Sequence, residues 1–346
     1  MNILKKIFSP GYPDLDWIQV GVTTRCNAGC VYCPHTIFRD SWQGRDLSLE
    51  SFKALVPAFS RASLVYLQGW GEPLLHPGLF DMLEMVKKKG CMAGLTSNAN
   101  LLTSDTLKKL TDSGLDFLSL SVAGIDKKND VIRKGTSLKK VREVIQEVNR
   151  IRVARGTSSP RIHLAYMLLG SSLDDVSAMP DFFNSLEVDQ VVISGLTLAF
   201  TPEMEKEMYL AASETDFREL KEKLLEMKSL VDEPEKINFH LYNPYLNPGQ
   251  CSENICRTTF MSVDGYIRPC VCTDFPEFSE NQRMYFQGTG YPLSSLEFGN
   301  IKEKSLAEIW NDQNYKRFRE EFFNEDINKP CAHCAKRCID NLSGNK

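Results

Sequence analysis

The cysteines of this chain occur in groups, and this grouping restricts its fold and chemistry more than any other feature. The 346-residue sequence contains eleven of them. There is one group near the start, one between residues 251 and 272, one near the end, and one isolated residue: Cys26, Cys30 and Cys33; Cys251, Cys256, Cys270 and Cys272; Cys331, Cys334 and Cys338; and Cys91. In a reducing compartment, grouped thiols predict bound metal rather than disulfides.

Composition restricts the compartment and the partners. The apolar stretch before Pro10 is too short for a secretory signal, and no run of eighteen apolar residues occurs. We therefore expect a cytoplasmic protein that does not span a membrane. The net charge of −4 and the pI near 5.9 provide no general surface for phosphates, so nucleic acid is not an expected partner. The isolated Cys91 is expected to be a small buried hydrophobic residue.

The first two-thirds of the chain alternates short apolar runs with amphipathic stretches. Strands are predicted at residues 17–23, 64–68, 92–96, 117–122, 162–168 and 190–193. Helices are predicted between them at 49–59, 79–89, 104–113, 138–155 and 178–186, followed by a charged helical stretch at 203–230. This alternation predicts βα units on a parallel sheet. The expected fold class is α/β, an open, partial (β/α)6 barrel whose active site lies at the carboxyl ends of the strands.

A second region is expected after residue 240. The turn-rich segment 243–249 precedes a stretch with seven cysteines and little predicted regular structure, except for a helix at 305–311. The expected domains are therefore residues 1–240, the partial barrel, and residues 241–346, a small irregular C-terminal domain. We expect the second domain to be stabilised by metal as much as by a hydrophobic core.

The first three cysteines directly follow the first predicted strand with the spacing C-x3-C-x2-C. Three thiolates this close together can bind one face of a 4Fe–4S cluster and leave its fourth iron without a protein ligand, where chemistry can occur. The alternative is a zinc knuckle completed by His35. Zinc sites more often use pairs of C-x2-C or C-x4-C, so the spacing favours the iron–sulfur cluster.

With Tyr32 in the aromatic position before Cys33, this motif resembles the signature of the radical S-adenosylmethionine (SAM) enzymes. The resemblance implies that the open iron of the cluster chelates SAM. It further implies that an electron from the cluster splits SAM into methionine and a 5′-deoxyadenosyl radical, which abstracts hydrogen from a substrate. The electron would come from a donor such as a flavodoxin or a ferredoxin.

Motifs after the later strands resemble the SAM-binding loops of the same family. The residues implied are Tyr32; Gly71, Glu72 and Pro73; Asn98; Ser121; and Arg133. By this resemblance Glu72 holds the SAM amino group and Arg133 pairs with the SAM carboxylate. Three positions depart from the commonest family pattern, because Trp70 and Ala99 replace glycines and Ala123 replaces an aspartate.

The C-terminal cysteines resemble the SPASM or twitch extension of this family, as do segments 299–301 and 305–311. The resemblance implies at least one auxiliary 4Fe–4S cluster, in its minimal form on Cys256, Cys270, Cys331 and Cys334. Cys251, Cys272 and Cys338 are further candidate ligands. Two fully ligated clusters would need eight thiolates, so one auxiliary cluster is expected. Two auxiliary clusters, one of them incompletely ligated, are the alternative. Structural zinc is the alternative for these cysteines.

The resemblance implies an enzyme that modifies a peptide, a protein or a small molecule. The leading expectation is modification of a ribosomally made peptide (a RiPP). The alternatives are maturation of a metal-cofactor oxidoreductase of the tungsten type, small-molecule cofactor biosynthesis and, from another class, a non-enzymatic zinc-binding adaptor. Candidates for lining the pocket are Tyr32, His35, Tyr166 and Met167, and the aromatic-rich segment 274–292 is a candidate lid.

Overall fold

The computed structural model describes residues 15–209, 211–246, 251–275, 282–323 and 329–342. Fifteen strands occur in these ranges: β1 (Leu15–Val20), β2 (Gly29–Cys30), β3 (Ala62–Leu67), β4 (Met92–Ser97), β5 (Phe117–Val122), β6 (Arg133–Lys134), β7 (Arg161–Leu168), β8 (Gln190–Gly195), β9 (Ile237–Tyr242), β10 (Thr258–Met261), β11 (Tyr266–Arg268), β12 (Arg283–Phe286), β13 (Thr289–Pro292), β14 (Gly299–Asn300) and β15 (Ile339–Asp340). Twelve α-helices occur in the same ranges: α1 (Pro34–Ile37), α2 (Leu49–Leu55), α3 (Leu79–Lys88), α4 (Ser104–Asp112), α5 (Lys127–Ile132), α6 (Leu138–Arg155), α7 (Met179–Asn184), α8 (Pro202–Lys206), α9 (Glu214–Ser229), α10 (Leu306–Asn311), α11 (Gln313–Phe323) and α12 (Lys329–Ala332).

Eleven of these strands form one sheet in the linear order β14–β11–β10–β1–β3–β4–β5–β7–β8–β9–β15. The six strands expected from the sequence, β1, β3, β4, β5, β7 and β8, are neighbours and parallel. The predicted α/β fold with an open, partial barrel is therefore confirmed. β9, which was not predicted, adds another parallel strand beside β8.

The C-terminal region extends this sheet at both edges. At one edge β10 pairs in parallel with β1 and continues into the antiparallel strands β11 and β14. At the other edge β15 pairs antiparallel with β9. The region after residue 240 is thus more regular than the sequence indicated, and it also includes the unpredicted helix α11. The domain boundary at residues 240 and 241 stays a prediction, and it lies within β9 rather than in a linker.

Two predicted helices are interrupted, for local reasons. The helix predicted at 49–59 is α2 followed by a 3-10 turn at Val56–Arg61. Pro57 causes this change because it has no N–H to donate to the preceding turn. The charged stretch predicted at 203–230 is divided into α8 and α9, and Ser213 begins the second helix by accepting a hydrogen bond from the backbone N–H of Asp216.

The two faces of the sheet differ in chemistry. One face is packed against the helices through alternate residues such as Val65, Leu95 and Leu120, all fully buried in the main hydrophobic core. The opposite face has a polar network in which the Tyr66 hydroxyl lies 2.7 Å from Ser119 Oγ and 3.0 Å from Thr96 Oγ1. The inner face of the barrel therefore suits a polar occupant rather than an apolar one.

Tyr166 belongs to the helix-facing core and not to the inner face. Its ring packs edge-on against Phe183 of α7, with 5.9 Å between ring centroids. The expectation that Tyr166 faces the barrel interior is therefore wrong, because alternation along β7 turns residues 166 and 167 to opposite faces. Met167, the next residue, packs instead in a second hydrophobic cluster that includes Tyr32 and Trp70.

None of the described helices has the length and hydropathy needed to cross a lipid bilayer.

Candidate functional site

The loop after β1 brings Cys26, Cys30 and Cys33 together. Cys30 lies in β2, which pairs antiparallel with β6, so that Cys30 is the register partner of Arg133. The three thiols interact electrostatically with one another. Burial, and then the neighbouring Cys30 thiol, raises the pKa of Cys33 to about 12. Buried thiols of this kind become thiolates when a bound metal supplies positive charge, so the donor set fits a cluster.

His35 has a packing role in this loop. Its imidazole packs edge-on against the Trp42 indole, with 5.5 Å between ring centroids. Burial, and then the charge of Arg39, lowers the pKa of His35. These contacts do not support the zinc alternative, in which His35 would be a fourth ligand.

Arg133 is a buried cation beside the three thiols. Its side chain is 6% exposed, and its guanidinium donates a hydrogen bond of 2.5 Å to the Tyr32 hydroxyl. The charge of Arg133 also interacts with Cys26 and Cys30. Its Nε is buried and has no hydrogen-bond partner among the residues that the structure describes. A buried, incompletely satisfied guanidinium beside the thiols is suited to bind a carboxylate.

The loop after β3 is held against the segment that leads into Cys26. A side chain on Gly71 would place its Cβ 2.4 Å from the carbonyl oxygen of Thr23 and 2.6 Å from that of Arg25. The backbone N–H of Glu72 donates to the same Arg25 oxygen at 2.8 Å. Glycine is therefore required at position 71 because two backbones meet there. The buried Pro73 begins the short 3-10 turn that follows.

Glu72 connects this loop to the one after β4. Its carboxylate accepts hydrogen bonds from the Ser97 hydroxyl at 2.9 Å and from the backbone N–H of Asn98 at 2.8 Å. Burial raises the pKa of Glu72. Asn98 in turn donates through Nδ2 to Asn27 Oδ1 at 2.8 Å, within the cysteine loop. The structure thus brings Glu72 and Asn98 to the first group of thiols.

The remaining predicted SAM-site positions lie at the same edge of the sheet. Ser121 is half-buried near the carboxyl end of β5, two residues beyond Ser119 on the inner face. Ala99, which replaces a family glycine, has a φ of 71°. The backbone therefore keeps the left-handed shape that glycine favours, at a cost of about 1–2 kcal/mol.

Five thiols of the C-terminal region line one cavity: Cys251, Cys270, Cys272, Cys331 and Cys334. Four of them, all but Cys270, each interact electrostatically with the other three. Among the thiols, Cys270 interacts with Cys272 and Cys251, and it shares a hydrogen bond with Cys272. Four mutually close thiols are the donor set of a 4Fe–4S cluster.

The five thiols lie along the walls of this cavity. Within the described ranges, no three His, Cys, Asp or Glu side chains converge as ligands of one metal ion.

Cys256 and Cys338 are not among the described residues that line this cavity. Cys256 Sγ is 3.9 Å from the carbonyl oxygen of Arg319 on α11, and Cys338 packs in the second hydrophobic cluster with Tyr242. The predicted minimal set thus has three members at the cavity, and Cys251 rather than Cys256 is found there. The spacing of the cysteines did not reveal this, because both residues precede β10 at a similar distance.

The sequence did not predict that Trp70 contacts the C-terminal region. Its indole N–H donates to the carbonyl oxygen of Asp274, and its ring stacks on Phe275 with 5.7 Å between centroids. Asp274 and Phe275 closely follow Cys272. The large residue between Gly69 and Gly71 was the available signal, and it connects the two cysteine regions.

The candidate lid at 274–292 is a hairpin in its described part. β12 and β13 pair antiparallel, and Tyr285 forms a bridge to Ala199, which follows β8. The backbone N–H of Gly288 donates to Glu205 Oε1 at 2.9 Å. The hairpin is thus attached at the carboxyl edge of the sheet, and Phe278 of the predicted lid lies outside the described residues.

Two family models match the chain. Residues 20–183 match the Radical SAM superfamily, and residues 251–335 match SPASM, an iron–sulfur cluster-binding domain. The first match contains the Cys26, Cys30 and Cys33 loop, and the second contains the five-thiol cavity.

Similar proteins agree with these matches. The "Tungsten-containing aldehyde ferredoxin oxidoreductase cofactor-modifying protein" of Pyrococcus furiosus is 27% identical over 338 residues, covering 93% of this chain and 88% of the relative. Streptococcus suis SuiB, solved bound to S-adenosylmethionine, has a TM-score of 0.64 at 16% identity, covering 95% of this chain and 73% of SuiB. Native anSMEcpe, solved with AdoMet and Cp18Cys peptide, has a TM-score of 0.64 at 16% identity, covering 93% and 87%.

The solved structures share the fold, and the family models supply the chemistry. The cofactors are SAM, a SAM-binding 4Fe–4S cluster and at least one auxiliary 4Fe–4S cluster. The chain therefore belongs to the radical SAM superfamily, as an enzyme with a C-terminal SPASM domain.

Proposed function

We propose that this enzyme modifies the cofactor of a metal-dependent oxidoreductase of the tungsten-containing type. The proposal depends on one observation, which is the similarity to the Pyrococcus furiosus cofactor-modifying protein over nearly the full length of both chains. The aligned length spans both cysteine regions rather than the barrel alone. The polar network on the inner face, built from Tyr66, Thr96 and Ser119, supports a small polar substrate such as a cofactor precursor.

In this proposal the first cluster is held by Cys26, Cys30 and Cys33, and SAM is held by the loops around it. When bound, the cluster and SAM supply a 5′-deoxyadenosyl radical that abstracts hydrogen from the substrate. A donor such as a flavodoxin or a ferredoxin would provide the electron. The residues of the chain would bind and orient SAM and exclude water from it. The Arg133 guanidinium would bind the SAM carboxylate, and the Tyr32 hydroxyl orients that guanidinium.

The loops after β3, β4 and β5 form the rest of the proposed SAM site. Gly71 and Pro73 shape the first loop, and the Glu72 carboxylate would accept a hydrogen bond from the SAM amino group while it keeps Asn98 in place. Ser121 contributes a hydroxyl from β5. Because Glu72 is buried, a hydrogen bond between its carboxylate and SAM would form in a region of low dielectric constant, which would strengthen it.

The auxiliary cluster is proposed to be bound by Cys251, Cys272, Cys331 and Cys334, the four thiols that interact with one another. Replacing Cys272 with alanine is expected to remove about four irons per chain, because a 4Fe–4S cluster needs all its thiolates. Cys256→Ala is the matched control and should keep its iron, since Cys256 lies beside α11. Iron and sulfide analysis after anaerobic reconstitution measures this effect. Equal iron loss in both variants would show that the cavity does not define the ligand set.

Arg133 is expected to contribute strongly to SAM binding. Removing one partner of a buried charge pair costs about 2–5 kcal/mol, so Arg133→Gln should raise the Kd for SAM at least about 30-fold. Lys134→Gln is the control, because Lys134 is exposed in the same two-residue strand. Equilibrium binding of SAM to reconstituted protein of equal iron content measures the Kd. An unchanged Kd in the Arg133 variant would remove Arg133 from the SAM site.

The cofactor proposal is tested by expressing a tungsten-type aldehyde oxidoreductase in an anaerobic host with this enzyme or with its Cys30→Ala variant. The expected result is a difference in the mass of the extracted cofactor and aldehyde-oxidising activity only with the wild type. The same cofactor mass in both strains would contradict the proposal.

Modification of a peptide is the second candidate. It is favoured by the fold shared with anSMEcpe, which was solved with a peptide bound. The hairpin β12–β13 at the carboxyl edge of the sheet presents strand edges and aromatic residues that a peptide could contact. The test is a short peptide encoded by a gene next to the gene for this protein. Loss of hydrogen or a crosslink in that peptide after reaction with the enzyme would favour peptide modification over cofactor modification.

A further inference from the structure

We propose that Lys336 and Glu253 form a charge pair that sets the reduction potential of the auxiliary cluster, with Lys336 raising the potential and Glu253 lowering it. This inference rests on the auxiliary cluster assigned above. Neither residue is a cluster ligand. Each changes the potential through the electric field of its charge at the cluster. Neither was singled out by the sequence.

The two residues occupy equivalent positions relative to two proposed ligands. The Cys251 thiol receives a hydrogen bond from the backbone N–H of Glu253, two residues later. The Cys334 thiol receives one in the same way from the backbone N–H of Lys336. The backbone N–H of Ser252 donates to the carbonyl oxygen of Lys336 at 2.9 Å and joins the two turns. The backbone therefore fixes both side chains next to the thiols.

The side chains then meet in an ion pair at the cavity. Lys336 Nζ lies 2.8 Å from Glu253 Oε1, and the two side chains are 26% and 18% exposed. Both residues line the same cavity as the thiols. The Lys336 ammonium also interacts electrostatically with Cys272 and Cys334.

Other titratable groups also face this region, among them Tyr315, which interacts with Cys270. Arg337 lines the cavity and interacts with Cys331. His240, on β9, interacts with both Lys336 and Glu253. Lys336 and Glu253 differ from these groups because their opposite charges are fixed against each other, so that each partly cancels the field of the other at the thiols.

The sign of each contribution follows from the charge of the cluster. A cluster bound by four thiolates becomes more negative by one charge when it is reduced. A nearby cation stabilises the reduced form and raises the potential, whereas a nearby anion lowers it. Removing one member of the pair leaves the charge of the other uncompensated in a mostly buried place. Neutralising the two residues should therefore shift the potential in opposite directions.

The test is an EPR-monitored redox titration of the full-length, anaerobically reconstituted protein, with the auxiliary signal assigned as the one that remains in Cys30→Ala. Lys336→Gln should decrease the equilibrium constant for reduction about tenfold, a shift of about 59 mV for a one-electron couple, and Glu253→Gln should increase it by a similar factor. The charge-preserving Lys336→Arg and the exposed control Lys304→Gln should keep the wild-type potential.

Unchanged potentials in both neutralised variants, or shifts in the same direction, would overturn the proposal. If Lys336→Gln does not retain its iron, Glu253→Gln and Lys336→Arg still decide the outcome, because one must raise the potential and the other must leave it unchanged. Iron content distinguishes a failure of the underlying assignment. About four irons per wild-type chain, instead of about eight, would remove the auxiliary cluster and this proposal with it.

Discussion

Replacing Cys30 with alanine is expected to abolish formation of 5′-deoxyadenosine from SAM and to remove about four irons per chain. Cys30 is the middle thiol of the proposed set, is only 8% exposed and stands opposite Arg133 in the β2–β6 pair. With two thiolates left, the cluster loses one of its three protein ligands. The measurement is deoxyadenosine by chromatography after addition of dithionite and SAM, together with iron and sulfide analysis.

Cys91→Ala is the matched control for this experiment. Cys91 is also buried, at 3% exposure, but its thiol donates to the carbonyl oxygen of Ala62 at 3.2 Å, next to β4 and outside the three cysteine groups. Its replacement should cost about 1 kcal/mol of stability and leave iron content and SAM cleavage unchanged. Deoxyadenosine formation by Cys30→Ala at the wild-type rate would refute the assignment of the first cluster.

The fold was predictable where the hydrophobic pattern was long. Each of the six parallel strands has a run of apolar or alternating residues followed by an amphipathic helix, and these units alone determine a parallel sheet. The strands that were missed are short or lie in segments with mixed patterns. β10 and β11 have four and three residues, and they are identifiable only through pairing with β1 and with each other. Pairing of this kind is a tertiary effect that no local pattern contains.

The candidate site was predictable in its residues more than in its contacts. The first cysteine motif, Glu72 and Arg133 were all identified from the sequence, and the structure brings them together. The choice between Cys251 and Cys256 was not predictable, since it depends on which thiol the turn before β10 directs toward the cavity. The Lys336–Glu253 ion pair was not predictable either. The two residues are 83 positions apart in the sequence, and only the fold brings their side chains together.

Gly71 gives the second large expected effect, because its replacement alters the contact between two loops of the site. A Cβ at this position would lie 2.4 Å and 2.6 Å from two backbone oxygens, those of Thr23 and Arg25. Backbone atoms cannot rotate away as a side chain can, so the loop after β3 must move from the segment that leads into Cys26. Gly71→Ala should lower the free energy of unfolding by about 3 kcal/mol and weaken SAM binding at least about tenfold.

Gly195→Ala separates this effect from a general cost of replacing glycine near the carboxyl edge of the sheet. Gly195 ends β8, and a Cβ there would meet the Leu241 side chain at 3.8 Å, which is ordinary van der Waals contact. That variant should unfold in denaturant near the wild-type midpoint and bind SAM normally. If Gly71→Ala also kept the wild-type midpoint and Kd, the close approach of the two loops would not be a requirement of the site. The expected contrast follows from the nature of the neighbour, because a flexible side chain can yield by a few tenths of an ångström and two carbonyl groups held in the cysteine loop cannot.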